Sequence, residues 1–170
     1  MTTLTEAVHE YFRGEKNLGV ALAVYGVFLL GVAVWVWRTQ DGAFATALLV
    51  PLAVLGLGFA GGGSFLAVKT GSQVEKLEAD LKAGEKPALD VELARMAKVN
   101  ANWPKAKLAW GVVTVVALVL LLAVKRDWAS GLGLALLFMT TALMATDVFA
   151  ERRAQPYTRA LEAARGLHTP

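Results

Sequence analysis

Asp147 is the residue with the most chemical potential in this sequence. It follows an apolar run, stands four residues before Glu151 and is close to Arg152 and Arg153. An ionised carboxylate is costly in hydrocarbon, so acids at such depth are paired or line a water-filled path. Two readings follow. One is an ion or proton site. The other is an interfacial acid paired with Lys69 or Lys107, which the order of apolar runs places at the same depth. The second is simpler, because the expected depth of Asp147 is marginal.

Gly61, Gly62, Gly63 and Ser64 form the second focus. Three successive glycines weaken a helix, and an unwound turn would offer carbonyls to an ion, as broken transporter helices do. Gly58 and Gly62 also make a small-xxx-small pair, and close helix packing is the commoner use of that spacing. Gly19, Gly26 and Gly31, and Gly131 with Ala135, read as packing faces by the same rule. Pro51 reads as a kink whose freed carbonyl neighbouring helices can satisfy.

Other chemistry lacks its residues. The chain has no cysteine, so disulfides, thiolate metal sites and thiol nucleophiles are excluded. The two histidines, His9 and His168, fall in the terminal segments and cannot face each other across a bundle to hold haem. There is no P-loop or dinucleotide fingerprint, and no serine, histidine and acid share a plausible depth. The expectation is therefore no catalytic residue, no metal and no cofactor, with enzyme activity disfavoured.

The elements that position these residues are apolar. Of 170 residues, 56% are apolar and 18% charged, and the mean hydropathy is +0.50. A water-soluble domain needs more charge to cover its surface. Four runs meet the roughly 20-residue requirement for crossing a bilayer: 18–37, 43–68, 108–124 and 128–148. Trp35, Trp37, Trp110 and Trp128 stand near their ends, as an interfacial belt would place them. The first run is too long for a signal-peptide core and follows a polar segment containing Glu6, Glu10, Glu15, Arg13 and Lys16, so it reads as a retained span.

The links between the first two spans and between the last two are a few residues long, which makes antiparallel neighbours. The N-terminus 1–16, the loop 70–106 with its flanking lysines, and the tail 149–170 hold 14 of the 17 lysines and arginines; Arg38, Lys125 and Arg126 are the remainder. Such asymmetry predicts both termini on the cytoplasmic side. Within the loop, Ser72 and Glu75 resemble a capping box before Val74, Leu77 and Leu81. Gly84 to Pro87 should end that helix. A second should carry Leu89, Leu93, Met96 and Asn100 or Trp103 on one stripe, with Asn102 and Pro104 at its junction with the third span. Thr3 and Glu6 can cap an N-terminal helix bearing Leu4, Val8, Tyr11 and Phe12, which reads as lying on the membrane surface. The fold class expected is an all-α membrane protein, an antiparallel four-helix transmembrane bundle with a cytoplasmic helical hairpin between spans two and three, continuous or nearly so with both.

Three short motifs carry a resemblance. They are Tyr11-Phe12-Arg13-Gly14-Glu15, Glu92-Leu93-Ala94-Arg95-Met96, and Asp147 to Arg153 with Tyr157 and Leu161 following. In these the chain resembles a family of uncharacterised bacterial four-span integral membrane proteins, which implies a bacterial inner-membrane setting and brings no activity with it. All three motifs fall at the cytoplasmic surface in this topology. Arg13, Glu15, Glu92, Arg95, Arg152 and Arg153, with Asp147 and Glu151, form a candidate charged cluster, read either as weak structural ion pairs or as a docking surface. The basic residues of the loop are matched by Glu75, Glu78, Asp80, Glu85, Asp90 and Glu92, so no nucleic-acid partner is expected. The partners implied are the lipid bilayer and a homo-oligomer or another membrane protein. The leading functional expectation is a non-enzymatic membrane protein acting through interaction, as an accessory, immunity-like or scaffold subunit. The alternative is a small oligomeric ion or solute channel or transporter using Asp147 or the glycine-rich turn.

Overall fold

A computed structural model describes residues 4–166. It is all-helical, with four long apolar helices forming a bundle: α1 (Leu4–Thr39), α2 (Ala43–Ala83), α3 (Glu85–Leu122) and α4 (Asp127–Arg165). Each contains a stretch long and apolar enough to cross a membrane. The helices have 36 to 41 residues, whereas crossing takes about 20, so each runs on for several further turns. Those extra turns come from the start of α1, the end of α2, the start of α3 and the end of α4, and one buried cluster unites them. The molecule therefore has an apolar region and a polar end.

The breaks between helices are short. Gly42, at φ 99° and ψ 176°, begins α2 in an extended positive-φ conformation that favours glycine, and Gly166, at φ 78° and ψ 18°, closes α4 in the left-handed helical region. Gly84 separates α2 from α3 in extended backbone. Pro51, Pro104 and Pro156 lie inside helices that continue past them.

Several sequence expectations change here. The supposed capping box at Ser72 starts no helix: α2 is continuous from Ala43 to Ala83, and the Ser72 hydroxyl donates back to the Lys69 carbonyl at 2.9 Å. The Asn102–Pro104 junction lies inside α3, which runs unbroken through it, as the continuity expected between loop helix and span requires. The glycine cluster does not unwind α2 either. Residues 58–64 are helical, because the backbone bonds on both sides and contact with α1 outweigh the propensity cost of about 1 kcal/mol per glycine. The N-terminal segment is the first part of α1. Val8, Tyr11 and Phe12 are buried against Leu77, Leu89, Met96 and Tyr157, so their apolar surface is covered by the bundle rather than turned to a membrane surface. The proposed Thr3 cap lies outside the described residues.

α1 and α2 are joined by glycines, and not by the expected pair. Gly58, Gly61, Gly62 and Gly31 face open space. The contact uses Gly19 and Gly26 of α1 with Gly56 and Gly63 of α2, each pair seven residues apart. A Cβ on Gly63 would stand 2.5 Å from both Ala23 N and Gly19 O, and one on Gly26 would collide with the backbone of Ala60. The two backbones touch directly, with Cα–H groups against carbonyls. Gly131 of α4 abuts the Phe44 carbonyl in the same way, as expected for the Gly131–Ala135 face, and Ala135 is fully buried. Gly133 meets Leu121 and Ala117 of α3. α3 is the least covered helix: 6% of its most apolar window is buried, against 28% for α1. It packs mainly on α4 and leaves an apolar flank.

Candidate functional site

The polar end is organised around Glu92, nearly buried in the third turn of α3. A lone buried carboxylate is costly, and here it accepts three hydrogen bonds. Arg95 donates from Nε to Oε2 at 2.8 Å and from Nη2 to Oε1 at 2.6 Å, and the Tyr157 hydroxyl of α4 donates to Oε1 at 2.9 Å. The three-residue spacing of Glu92 and Arg95 places them on one helix face, where a bidentate fork forms.

α1 closes the site from the other side. Tyr11 stacks on Tyr157 with ring centroids 4.4 Å apart and planes 10° from parallel, and Phe12 meets both rings edge-on. The Arg95 guanidinium lies 5.7 Å from the Tyr11 ring centroid and 5.6 Å from that of Phe12, within cation–π range. Tyr11 donates its hydroxyl to Glu15 Oε1 at 2.7 Å, one turn along α1.

Both phenols are held in the neutral form. Burial pushes the Tyr157 and Tyr11 hydroxyls well above the ordinary phenol range, and the carboxylates of Glu92 and Glu15, respectively, push them further. Burial alone would weaken the Arg95 cation, yet its bonds with Glu92 more than offset this and raise it. Tyr11, Tyr157 and Arg95 therefore keep their protons near neutrality and serve as fixed donors.

Arg153 is different. Its Nε and Nη2 are buried without a hydrogen-bond partner. The side chain lies over Gly14 of α1, where a Cβ would be 2.5 Å from Arg153 Cδ and 2.8 Å from Nε. Gly14 supplies the room that the side chain occupies.

A second set of contacts runs along the α3–α4 seam toward the apolar region. Asn100 donates to Thr158 Oγ1 at 3.1 Å, and Trp103 Nε1 reaches Asn100 Oδ1 at 3.3 Å. Lys107 Nζ pairs with Glu151 Oε2 at 2.5 Å, and Trp110 Nε1 donates to Asp147 Oδ2 at 2.8 Å. Asp147 is therefore partnered, but by neither lysine expected. The seam explains why. Residues 96, 100, 103, 107, 110, 114 and 117 repeat every 3.5 positions along α3. In that register Lys107 meets Glu151, and Trp110 meets Asp147 one turn farther in. Lys69 is elsewhere, its Nζ 5.4 Å from the ring of Phe65 on its own helix.

Of the candidate charged cluster, Glu92, Arg95, Glu15 and Arg153 gather around the two tyrosines. Arg13 and Arg152 stand exposed, while Asp147 and Glu151 belong to the seam. Gly61, Gly62 and Ser64 are exposed on α2, where only Gly63 of that group packs. His9 reaches Glu78 at 3.1 Å, and His168 lies outside the described residues. Sequence reasoning missed Tyr11 and Tyr157 as a stacked pair, and Trp110 as the partner of Asp147. Continuing the stripe from Met96 through Lys107 to Trp110 was the available signal for the latter. The three motifs converge at these sites, but no family model, curated protein or solved structure matches the chain.

Proposed function

We propose that the chain is a four-span integral membrane protein acting through interaction, as an accessory, immunity-like or scaffold subunit. In this reading the helices run antiparallel across a bacterial inner membrane, with both termini and the α2–α3 hairpin in the cytoplasm. The apolar windows of all four helices support the membrane setting, and the distribution of lysine and arginine supports the orientation. The opposed order of contacts, Gly19 with Gly63 and Gly26 with Gly56, supports the antiparallel register.

The observation that carries the non-catalytic reading is the state of the acids within the bundle. Glu92, Glu15, Glu151 and Asp147 each accept a hydrogen bond from another side chain, and three of those contacts join different helices. Such groups fix helix positions, giving a preorganised surface at the polar end. The apolar flank of α3 faces lipid or a further helix. A channel reading has no comparable support, since α2 remains helical through its glycines and Trp110 holds Asp147.

Gentle extraction from native membranes tests the proposal. A stoichiometric membrane partner or a defined homo-oligomer is expected to co-purify. A monodisperse monomer with no retained partner overturns the reading. The absence of cysteine makes orientation directly measurable: a single cysteine at Gly84 should be labelled only from the cytoplasmic side, and one at the exposed Asp41 only from the opposite side.

A further inference from the structure

The four helices pass from the polar end into the apolar region at one height, which can be followed from helix to helix. Gly19 of α1 lies against Gly63 and Ala67 of α2, so Lys16 is level with Lys69. Gly14 lies under the Arg153 side chain, so Lys16 is also level with Arg152 of α4. Lys107 pairs with Glu151, which brings Lys105 of α3 to the height of Arg152. Each helix thus carries one basic residue to within about a turn of the same level. All four are exposed, and among the described residues none of them forms an ion pair.

Each of these cations stands over an exposed apolar side chain one turn nearer the apolar region. Lys16 is four residues from Val20, Lys69 four from Phe65, Lys105 three from Leu108 and Arg152 three from Phe149, spacings that share a helix face. The Lys69 Nζ lies 5.4 Å from the Phe65 ring centroid. No exposed acid lies within four residues of any of the four along its helix. The carboxylates at this height, Glu15 and Glu151, are half-buried and accept from Tyr11 and Lys107. Glu10 is exposed and shares a cleft wall with Arg152, but it stands six residues outward from Lys16. The opposite boundary of the apolar region is mixed: Arg38, Lys125 and Arg126 share it with the exposed Asp41 and Asp127.

We infer that this belt binds anionic phospholipids, holding their phosphodiester headgroups at Lys16, Lys69, Lys105 and Arg152 while the acyl chains lie on the apolar side chains beneath. Cation above and hydrocarbon below is the order that such a lipid itself presents. Long basic side chains suit the task, because their methylene stems rest on apolar surface while the charged heads reach the headgroup layer. The shape of the belt selects the occupant. α1 and α3 stand at opposite corners of the bundle, with no backbone contact between them, so the belt encircles the molecule. A protein partner covers one flank, whereas a shell of lipid meets all four cations. A free phosphate would meet one cation at a time and gain nothing from the apolar residues. The inference rests on the four-span membrane reading above and names the lipid that reading requires at one boundary.

The test places the full chain in phosphatidylcholine vesicles with a trace of spin-labelled phosphatidylcholine or phosphatidylglycerol. Electron paramagnetic resonance reads the fraction of each lipid immobilised on the protein. Wild type is expected to favour phosphatidylglycerol roughly two- to fivefold, the upper figure being what one basic residue near an anionic lipid supplies, and to lose the preference in about 1 M salt. Lys16→Gln, Lys69→Gln, Lys105→Gln and Arg152→Gln combined should abolish it, and since these residues are exposed and unpaired the variant should fold. Lys76→Gln, Lys82→Gln, Lys86→Gln and Lys98→Gln combined remove the same charge at least seven residues, about 10 Å, farther from the apolar region, and should leave the preference intact. No preference in wild type overturns the inference, and so does a preference that survives in the belt variant or falls equally in the outer one. Immobilised phosphatidylcholine without any preference overturns this inference alone. If neither lipid is immobilised, the membrane reading falls and this inference with it.

Discussion

The two ends of α1 are built on opposite principles. In the apolar region, Gly19 and Gly26 have no side chains, and the backbone of α1 rests on that of α2. At the polar end, Val8, Tyr11 and Phe12 fill a core contributed by all four helices. The contrast follows from the surroundings each end suits. In lipid, apolar side chains gain little by leaving hydrocarbon, so helix association depends on close approach. In water, burying large side chains is itself the driving force, and polar groups within the core must be paired. One helix therefore carries two kinds of adhesion, and each has its own way of failing.

The polar end should fail most severely at its buried charge. Glu92→Ala leaves Arg95 without its fork and Tyr157 without an acceptor. The expected loss is about 3 kcal/mol, the lower end of the range for breaking a buried pair, because Arg95 keeps 32% of its side-chain surface exposed. Thermal unfolding of the extracted protein measures it. Adding Arg95→Met should recover much of the loss, since the unpaired charge dominates the cost. Equal instability in the double variant would show that packing, not charge, holds this end.

The apolar region should be broken by a single methyl group. Gly26→Ala drives a Cβ into the Ala60 backbone, which cannot swing aside as a side chain would. About 1–3 kcal/mol of destabilisation is expected from overpacking, with weakened α1–α2 association. Gly58→Ala offers a matched control on α2, two residues from the packed Gly56 but on a face where its Cβ would meet nothing. It should be neutral or stabilising by up to about 1 kcal/mol, from helix propensity alone. If both alanines behaved alike, backbone contact would not be what joins these helices.

The apolar region was legible in the sequence to a coarse degree. Four helices long enough to cross a membrane could be read from run length, because crossing imposes a length and little else. Which glycines pack could not be read, since both Gly58/Gly62 and Gly56/Gly63 recur at spacings that keep one face. The choice is made by α1, whose Gly19 and Gly26 share the seven-residue interval of the second pair. At the polar end, the stripe Leu89, Leu93 and Met96 could be read as one face, and Glu92 and Arg95 as part of a charged cluster. Their union with Tyr11 and Tyr157 could not, because it depends on residues 65 or more positions apart meeting across the bundle. The N-terminal helix was misplaced for a related reason. An amphipathic face suits a membrane surface and a protein core equally well until its partner is known.

Alkali should separate the two regions by a gentler route. The Tyr11 and Tyr157 phenols have folded pKa values above the ordinary value of about 10. Below that value both states keep the proton, and stability does not depend on these groups. Above it the unfolded chain releases protons that the fold retains, so stability must fall as pH rises. Unfolding measured from pH 8 to 11 should show this decline. Tyr157→Phe should lose about 1.5 kcal/mol near neutrality through the missing bond to Glu92, and should then decline less steeply in alkali than wild type. A decline of unchanged slope would mean that the phenol of Tyr157 is not shielded by the core.

The smallest effect is expected at the outermost contact of the polar end, where Arg165 forks onto Asp90 at 2.6 and 3.1 Å. The hydrogen bond from Arg165 holds the Asp90 carboxyl below its ordinary range, and both groups lie at the surface. A carboxylate with a lowered folded pKa contributes stability above its unfolded value of about 4, and this is lost as pH falls through the folded value. Solvent and salt screen an exposed pair, however, so the contribution at neutral pH should be hard to detect. Asp90→Asn should leave the unfolding temperature at pH 7 within error of wild type and slightly flatten the acid limb below about pH 4. That pattern would separate the exposed rim from Glu92, which uses the same arginine fork inside the bundle. A loss at pH 7 approaching that of Glu92→Ala would instead mean that water does not reach this end of α3 and α4, and that the core extends past Leu161 to the last turn.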